Sequence, residues 1–210
     1  LRQYQCMKAR ALKENILRKL GRVKEAEELH KESLKIDPLY DRQPEKINHN
    51  TLLELVIDLY EAGDYAQGIT LAEKWVEQQN VSRQEDIYPL VYYYIAYGYQ
   101  NLHGKENTEQ TNHYMTVYVT LGENAVADGC FPHRTEDYIV LKSLAEDYYL
   151  DMVYYYLGCL LYDRRAYGEA IADYEEAARR YPDLPTVHRN LALAYYNVKK
   201  QPQRAYEEME

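Results

Sequence analysis

Apolar and small residues recur along this chain at intervals of three and four, with polar positions between them, and the pattern breaks and restarts. Residues 151 to 184 show it best. Tyr154, Leu157, Gly158, Leu161, Tyr167, Ala170, Tyr174, Ala177 and Pro182 stand at positions 4, 7, 8, 11, 17, 20, 24, 27 and 32 of a 34-residue frame. Such spacing lines side chains along one stripe of an α-helix, and two stripes joined by a short break predict a helical hairpin. A glycine inside a helix costs roughly 0.5–1 kcal/mol relative to alanine, so Gly158 predicts a close approach that leaves no room for a side chain. Ala170 is expected to play the same part on the second helix. Pro182 is expected to end that helix, because it cannot donate the next hydrogen bond.

The frame recurs along the chain. From 185, Leu191, Ala192 and Tyr195 take positions 7, 8 and 11, and Ala205 falls one residue late after Lys199-Lys200-Gln201-Pro202. From 49, Leu52, Leu55, Leu59, Tyr65, Gly68, Ala72 and Trp75 take positions 4, 7, 11, 17, 20, 24 and 27. From 89 the pattern starts well with Tyr92, Ile95, Ala96 and Tyr99, then degenerates, with Thr108 and Asn112 at the usual small and aromatic positions. The first unit keeps Gly21, Val23, Ala26 and the terminator Ile36-Asp37-Pro38. A loop, Asp128-Gly129-Cys130-Phe131-Pro132, precedes an amphipathic stretch bearing Tyr138, Leu141, Leu144 and Ala145.

A helical unit of this length and residue pattern resembles the tetratricopeptide repeat. The predicted fold is therefore all-α, a right-handed superhelix of stacked tetratricopeptide-type hairpins with about eleven helices and no strand of note. The expected organisation is a degenerate first hairpin at 1–38 and two repeats at 49–122, the second degenerate. An irregular loop with an extra helix is expected at 123–150, and two repeats, the last truncated, at 151–210. The joint between 39 and 48, bracketed by Pro38 and containing Pro44, is expected to bend.

Charge and composition narrow the functions. The formal net charge is -9 with 25 Lys and Arg against 34 Asp and Glu, so a basic nucleic-acid footprint is not expected. Lys142, Glu146, Asp147 and Asp151 interrupt the most apolar region, so no membrane span is expected. The 25 tyrosines, against one Phe and one Trp, require either buried partners for many hydroxyls or a wet, ring-lined surface. Three scattered cysteines, Cys6, Cys130 and Cys159, suit neither a disulfide framework nor a paired-ligand zinc site, and the expected compartment is the cytoplasm. Cys159 is expected to be a small buried apolar residue. The chain opens on Leu1 rather than Met and shows no signal segment, so it is expected to be a piece of something longer. Asn80-Val81-Ser82 matches a glycosylation acceptor, a tripeptide common by chance.

The sequence carries a further resemblance. Val91-Tyr92-Tyr93-Tyr94-Ile95-Ala96-Tyr97, Cys130-Phe131-Pro132-His133-Arg134, Tyr155-Tyr156-Leu157-Gly158-Cys159-Leu160-Leu161-Tyr162-Asp163 and Pro185-Thr186-Val187-His188-Arg189-Asn190-Leu191-Ala192-Leu193-Ala194-Tyr195-Tyr196-Asn197 occur in that order. The series resembles the carboxy-terminal repeat region of large bacterial proteins. Those proteins carry an amino-terminal domain of unknown function, similar to aldose-epimerase and glycoside-hydrolase β-sandwiches. The resemblance is densest from 130 to 197 and implies a context, not an activity.

In a stack of this kind, positions 2, 5, 9, 12 and 13 of each first helix face the inner groove. They nominate a wall of tyrosine rings and amides: Tyr93, Tyr97, Gln100 and Asn101, then Tyr155 and Tyr162, then Arg189, Tyr196 and Asn197. Rigid rings with hydrogen-bonding tips suit an extended peptide or a stacked sugar. The alternative is that many of these tyrosines fill space between hairpins. Arg189 with Asn190 and Asn197 suggests a grip on a carboxylate or a peptide backbone. Tyr93, Tyr97, Tyr155 and Cys159 occupy the positions of a carboxylate-clamp groove, whose Lys and Asn are missing, so that specificity is not expected. His188-Arg189 is expected to make a contact between repeats.

No catalytic arrangement is legible. The histidines, including His30, His49, His103, His113, His133 and His188, lack metal-ligand spacing, and no phosphate loop, nucleophile elbow or Cys-His pair occurs. His133-Arg134 is expected to precede a helix begun by Pro132 and capped through Thr135 and Glu136. Glu169, Asp173, Glu175 and Glu176 are expected on a solvated outer face. The reading is a non-catalytic protein- or peptide-binding or assembly module with no cofactor and no metal. Its expected partner is a protein or peptide segment, its own parent's amino-terminal domain included. Two alternatives stay open: repeats that help shape the carbohydrate site of a larger enzyme, and homodimer formation through an uncapped edge around Leu191, Tyr195 and Met209.

Overall fold

Every regular element among the described residues is helical, as spacing by three and four predicts. The computed structural model describes residues 7–36, 48–79, 87–102, 109–125, 129–147 and 150–210. Cys6, Pro38, Pro44, the Asn80-Val81-Ser82 tripeptide, His103, Thr108 and Asp128 lie outside them. Two compact units divide the chain, Leu1–Gln79 and Asn80–Glu210. The first holds α1 (Met7–Lys19) paired with α2 (Val23–Ile36), and α3 (His49–Glu61) paired with α4 (Tyr65–Gln78). The second holds α5 (Pro89–Leu102), α6 (Glu109–Asn124), α7 (Thr135–Asp147), α8 (Asp151–Asp163), α9 (Tyr167–Arg180), α10 (Pro185–Ala194) and α11 (Pro202–Glu207). A π-helical turn, Tyr195–Lys199, follows α10 directly. No described helix is long and apolar enough to cross a membrane.

The repeat is written in the backbone as well as in the side chains. In three hairpins the residue at frame position 15 is left-handed: Gly21 at φ 72°, Gly63 at φ 73° and Arg165 at φ 63°. Each closes the first helix with the same pair of bonds. Gly21, Gly63 and Arg165 donate to the carbonyls of Arg18, Tyr60 and Tyr162, at 3.0, 2.9 and 3.0 Å. The next residues, Arg22, Asp64 and Ala166, donate to Leu17, Leu59 and Leu161, at 2.9, 2.8 and 2.9 Å. The large residue at position 11 thus anchors the core with its side chain and the turn with its carbonyl. Of these three, Arg165 alone is not glycine.

The last hairpin explains why Ala205 comes one residue late. Its left-handed residue is Lys200, at φ 56°, one position further along than in the others. The extra residue is absorbed by the π-turn, and Gln201 donates back to the Tyr195 carbonyl at 3.0 Å. A single inserted residue inside a helix is accommodated in this way, and such turns occur often at functional sites.

Glycine sets the distance between paired helices, but the neighbour it admits is an aromatic ring, not another small residue. A Cβ on Gly158 would lie 2.6 Å from Cδ1 and 2.7 Å from Cε1 of Tyr174 on α9. On α4, a Cβ on Gly68 would meet the ring of Tyr60, with Cδ1 at 2.8 Å. On α6, a Cβ on Gly122 would lie 2.8 Å from Cε1 of Tyr93. Each glycine thus accepts a tyrosine ring flat against its helix. Ala170 is fully buried, at 0% exposure.

Within the second unit, α7 packs on both α5 and α8, and α6 also reaches α8. Two carboxylates, one half-buried and one buried, fix the starts of α8 and α7. Glu123, on α6, accepts from the backbone N–H groups of Asp151 and Met152 at 2.8 and 2.9 Å, and from the Tyr93 hydroxyl at 2.8 Å. Asp137 accepts from the N–H groups of His133 and Arg134, both at 2.9 Å, and from the Tyr94 hydroxyl at 2.8 Å. Consecutive tyrosines of α5 therefore serve two successive helix N-termini, satisfying donors that a helix leaves without partners. The α7 cap differs from the sequence expectation. It comes from Asp137 reaching back from the first turn, not from Thr135 or Glu136, because the Asp137 carboxylate also gives the buried Tyr94 hydroxyl an acceptor. Burial raises the Glu123 carboxyl above its ordinary range, partly offset by the hydrogen bonds it accepts.

One of the acids expected to be solvated is not. Asp173 on α9 is half-buried, and desolvation raises its carboxyl to about 6, opposed by Lys142 and reinforced by Glu169 and Glu176. A folded value above the unfolded one means that this group favours the fold while protonated and loses that contribution as pH rises from about 4 through 6. Asp173→Asn is therefore expected to stabilise the protein at pH 7 by on the order of 1 kcal/mol. At pH 4 it is expected to change little. Melting temperatures of the two proteins across pH 4 to 7 check this, and parallel curves would count against it.

Candidate functional site

The second unit places the sequence-nominated groove residues in three settings. The first is its interior. Tyr93 and Tyr155 are 0% and 4% exposed. Tyr93 lies against Gly122, donates to Glu123 and meets Tyr156 edge-on at 6.0 Å between ring centroids. Tyr155 packs against Tyr156 and Tyr174, at 5.4 and 6.5 Å. Burial raises both phenols well above their ordinary value. These rings fill the space between helices, which is how a chain with so few phenylalanines builds its core.

The second setting is the α5–α7 contact. Gln100 accepts from the Ser143 hydroxyl of α7 at 3.0 Å. Asn101 donates to the Tyr97 carbonyl one turn back at 2.8 Å, and Tyr97 itself is half-buried. The α7 helix thus takes up Gln100, which spacing assigned to an open wall. The frame could not show this, since α7 lies outside it.

The third setting is open. Tyr162, at the end of α8, Arg189, on α10, and Tyr196 and Asn197, on the π-turn, remain on the surface or half-buried, with Tyr196 61% exposed. Tyr162 and Asn197 line one cavity of about 280 Å³ together with Tyr174, Asn190 and Leu193. Three elements supply this site: α8, α9 and α10 with its π-turn. Arg189 stands beside it, and Tyr196 is its exposed neighbour on the turn.

Local geometry explains how each side chain comes to be there. Tyr174 reaches the cavity because Gly158 lets its ring slide beneath α8. Its ring packs near Tyr155 and Tyr162, at 6.5 and 6.4 Å, and burial raises its phenol, reinforced by the Cys159 thiol. Asn190 is clamped. Its Oδ1 accepts from Nη2 and Nε of Arg189 at 3.3 and 3.4 Å, and its Nδ2 donates to the Cys159 sulfur at 3.6 Å. Cys159 is half-buried rather than fully buried, with its thiol raised by desolvation. It orients an amide, and this is more than a small apolar residue would do. The sequence pattern had placed Tyr174 in the core at position 24. A polar-tipped ring opposite a glycine was the available signal that it also reaches the groove.

A second, larger recess of about 430 Å³ lies around the N-terminus of α10 and the end of α11, lined in part by Pro182, His188, Glu208 and Met209. The His188 ring nitrogens face the Glu208 carboxylate at 2.8 Å and the Pro182 carbonyl at 2.9 Å, joining α10 to the preceding turn and to α11. Of the edge expected to seek a second copy, Leu191 and Tyr195 are interior, each 1% exposed, while Met209 is exposed. Tyr195 donates to Glu175 at 2.6 Å and lies 4.0 Å beneath the Arg204 guanidinium. Among the described residues, no three His, Cys, Asp or Glu side chains converge as a metal-binding set.

Together the hairpins, their common turn and the helix-to-helix contacts define a tetratricopeptide-type helical-repeat fold. No protein-family model matches the chain, and no curated protein matches it. Its similarities are to solved structures of MamA. One MamA crystal structure is 18% identical over 93% of this chain and 90% of that one, with a TM-score of 0.31. A second is 18% identical over 93% and 83%, with a TM-score of 0.31. MamA 41-end from Desulfovibrio magneticus RS-1 is 15% identical over 96% and 90%, with a TM-score of 0.32. Superpositions this loose transfer no property from MamA to this chain.

Proposed function

We propose that the chain is a non-catalytic polypeptide-binding module whose binding surface is centred on the α8–α10 end of the second unit. The observation that carries this reading is the cavity bounded by Tyr162, Tyr174, Asn190, Leu193 and Asn197, with Arg189 and Tyr196 at its side. Exposed aromatic rings, one cation and several amides form the kind of surface that polypeptides dock on, with rings as anchors and amides reading the main chain. The parent context belongs to the same proposal. The resemblance, which covers nearly the whole chain and is densest from 130 to 197, supports a larger bacterial protein with an amino-terminal epimerase- or glycosidase-like domain, and the scattered cysteines support a cytoplasmic setting. Its partner is then a segment of that domain or of another protein.

Panning a random peptide library against the chain tests the reading. A recurring sequence is expected, bound at least about tenfold more weakly by Tyr196→Ala and Arg189→Ala proteins whose melting temperatures are unchanged. No enrichment, or binding indifferent to both substitutions, overturns it. Binding of a glycan in place of any peptide favours the carbohydrate-accessory reading instead.

A further inference from the structure

The α8–α10 cavity has a chemistry more specific than that of a generic groove, and the following rests on the polypeptide-binding reading. None of its five lining side chains is charged. Arg189, beside it, directs its Nε and Nη2 at the Asn190 carbonyl oxygen, and the chain as a whole carries -9. An ionised group entering such a space loses water and finds no charged lining side chain to pair with, and Arg189 at its side is already turned to Asn190, so charged side chains are selected against. A purely aliphatic group would leave the amides and phenol without partners, which is also costly.

What the cavity presents is a matched set of donors and acceptors. The Asn190 amide is held in one orientation, its oxygen turned to Arg189 and its nitrogen toward the Cys159 sulfur and the Tyr174 phenol. The Asn197 amide and the Tyr162 hydroxyl make no hydrogen bond with any described residue, so each offers both a donor and an acceptor. Leu193 supplies an apolar side, and the Tyr162 ring a flat one. The inserted residue matters here, because Asn197 lies in the middle of the π-turn that absorbs it. The irregularity in the last repeat thus coincides with the place where the second of its two amides meets the cavity.

We propose that this cavity is a subsite for a carboxamide side chain, glutamine or asparagine, of the bound segment. A primary carboxamide is neutral, planar, and carries one strong acceptor beside two donors. Its oxygen and its NH2 group pair with the Asn197 amide and the Tyr162 hydroxyl, beside the fixed Asn190 amide, and its methylene stem lies along Leu193.

The test uses the full chain, uniformly labelled with 15N, and follows the side-chain amide resonances of Asn190 and Asn197. The probes are the N-acetyl methylamides of glutamine, glutamate and lysine, together with methyl glucoside. Glutamine is expected to shift both resonances saturably in the millimolar range. Asn197→Ala and Tyr162→Phe, both at accessible positions, are expected to weaken that binding roughly three- to tenfold with no change in melting temperature. Saturation by glutamate or lysine at equal or lower concentration overturns the proposal. So does a response to the glucoside without one to glutamine, or no saturable shift with any probe. If library peptides still bind in a Tyr196-dependent manner while glutamine does not shift these amides, the subsite fails and the binding module stands.

Discussion

Asp137→Ala is expected to destabilise the protein by about 3–5 kcal/mol, lowering the urea midpoint without changing the slope of the transition. The carboxylate is 0% exposed and accepts three hydrogen bonds. Its removal leaves the Tyr94 hydroxyl, on a side chain 1% exposed, and two N–H groups ahead of α7 without their acceptor. Each such donor costs about 1–3 kcal/mol when buried. Tyr94→Phe removes one donor and keeps the helix cap, so its loss is expected to be nearer 1 kcal/mol. A loss for Asp137→Ala no larger than that of Tyr94→Phe would show that water replaces the cap. Because α7 joins α5 to α8, the unfolding of the second unit is expected to remain a single step in both variants.

Gly158→Leu is expected to cost about 2–3 kcal/mol net. A branched side chain cannot share the space of the Tyr174 ring, which stands 2.6 Å from the first added carbon. Overpacking of this kind typically costs 1–3 kcal/mol or more, and the better helix propensity of leucine returns less than about 1 kcal/mol of it. The ring must move outward, and with it the wall of the α8–α10 cavity. The variant is therefore expected to lose the glutamine response as well as stability. Gly158→Ala should show both effects in smaller measure. A denaturation midpoint unchanged in Gly158→Leu would mean that α8 and α9 are not held apart by that ring.

The turn chemistry shows how much was legible in the linear pattern. Gly21, Gly63 and Arg165 share one frame position, and one left-handed closure follows at each of them. Helix class, hairpin pairing and the late Ala205 were all readable, because they depend on residues within a few turns of one another. The site was only partly readable. Spacing selected Tyr162, Tyr196 and Asn197, which remain accessible, and with equal force Tyr93 and Tyr155, which are interior. A frame position says which way a side chain points from its own helix, not what has been packed in front of it.

Sequence by itself determined that the chain forms paired helices, where they reverse, and that a close approach at Gly158 leaves no room for a side chain; that the approaching group is the Tyr174 ring it did not show. Those outcomes follow from backbone conformational preference and the period of apolar residues, both local. Tertiary structure alone decided that α7 engages Gln100 of α5, that Glu123 of α6 caps α8 while Asp137 rather than Thr135 or Glu136 caps α7, and that the cavity collects Tyr174 and Asn190. Those depend on contacts across about 20 to 45 positions of chain, such as Tyr94 with Asp137 and Cys159 with Asn190. Burial and hydrogen-bond satisfaction are properties of the packed neighbourhood, so one residue type at one frame position ends as core in one repeat and as surface in the next.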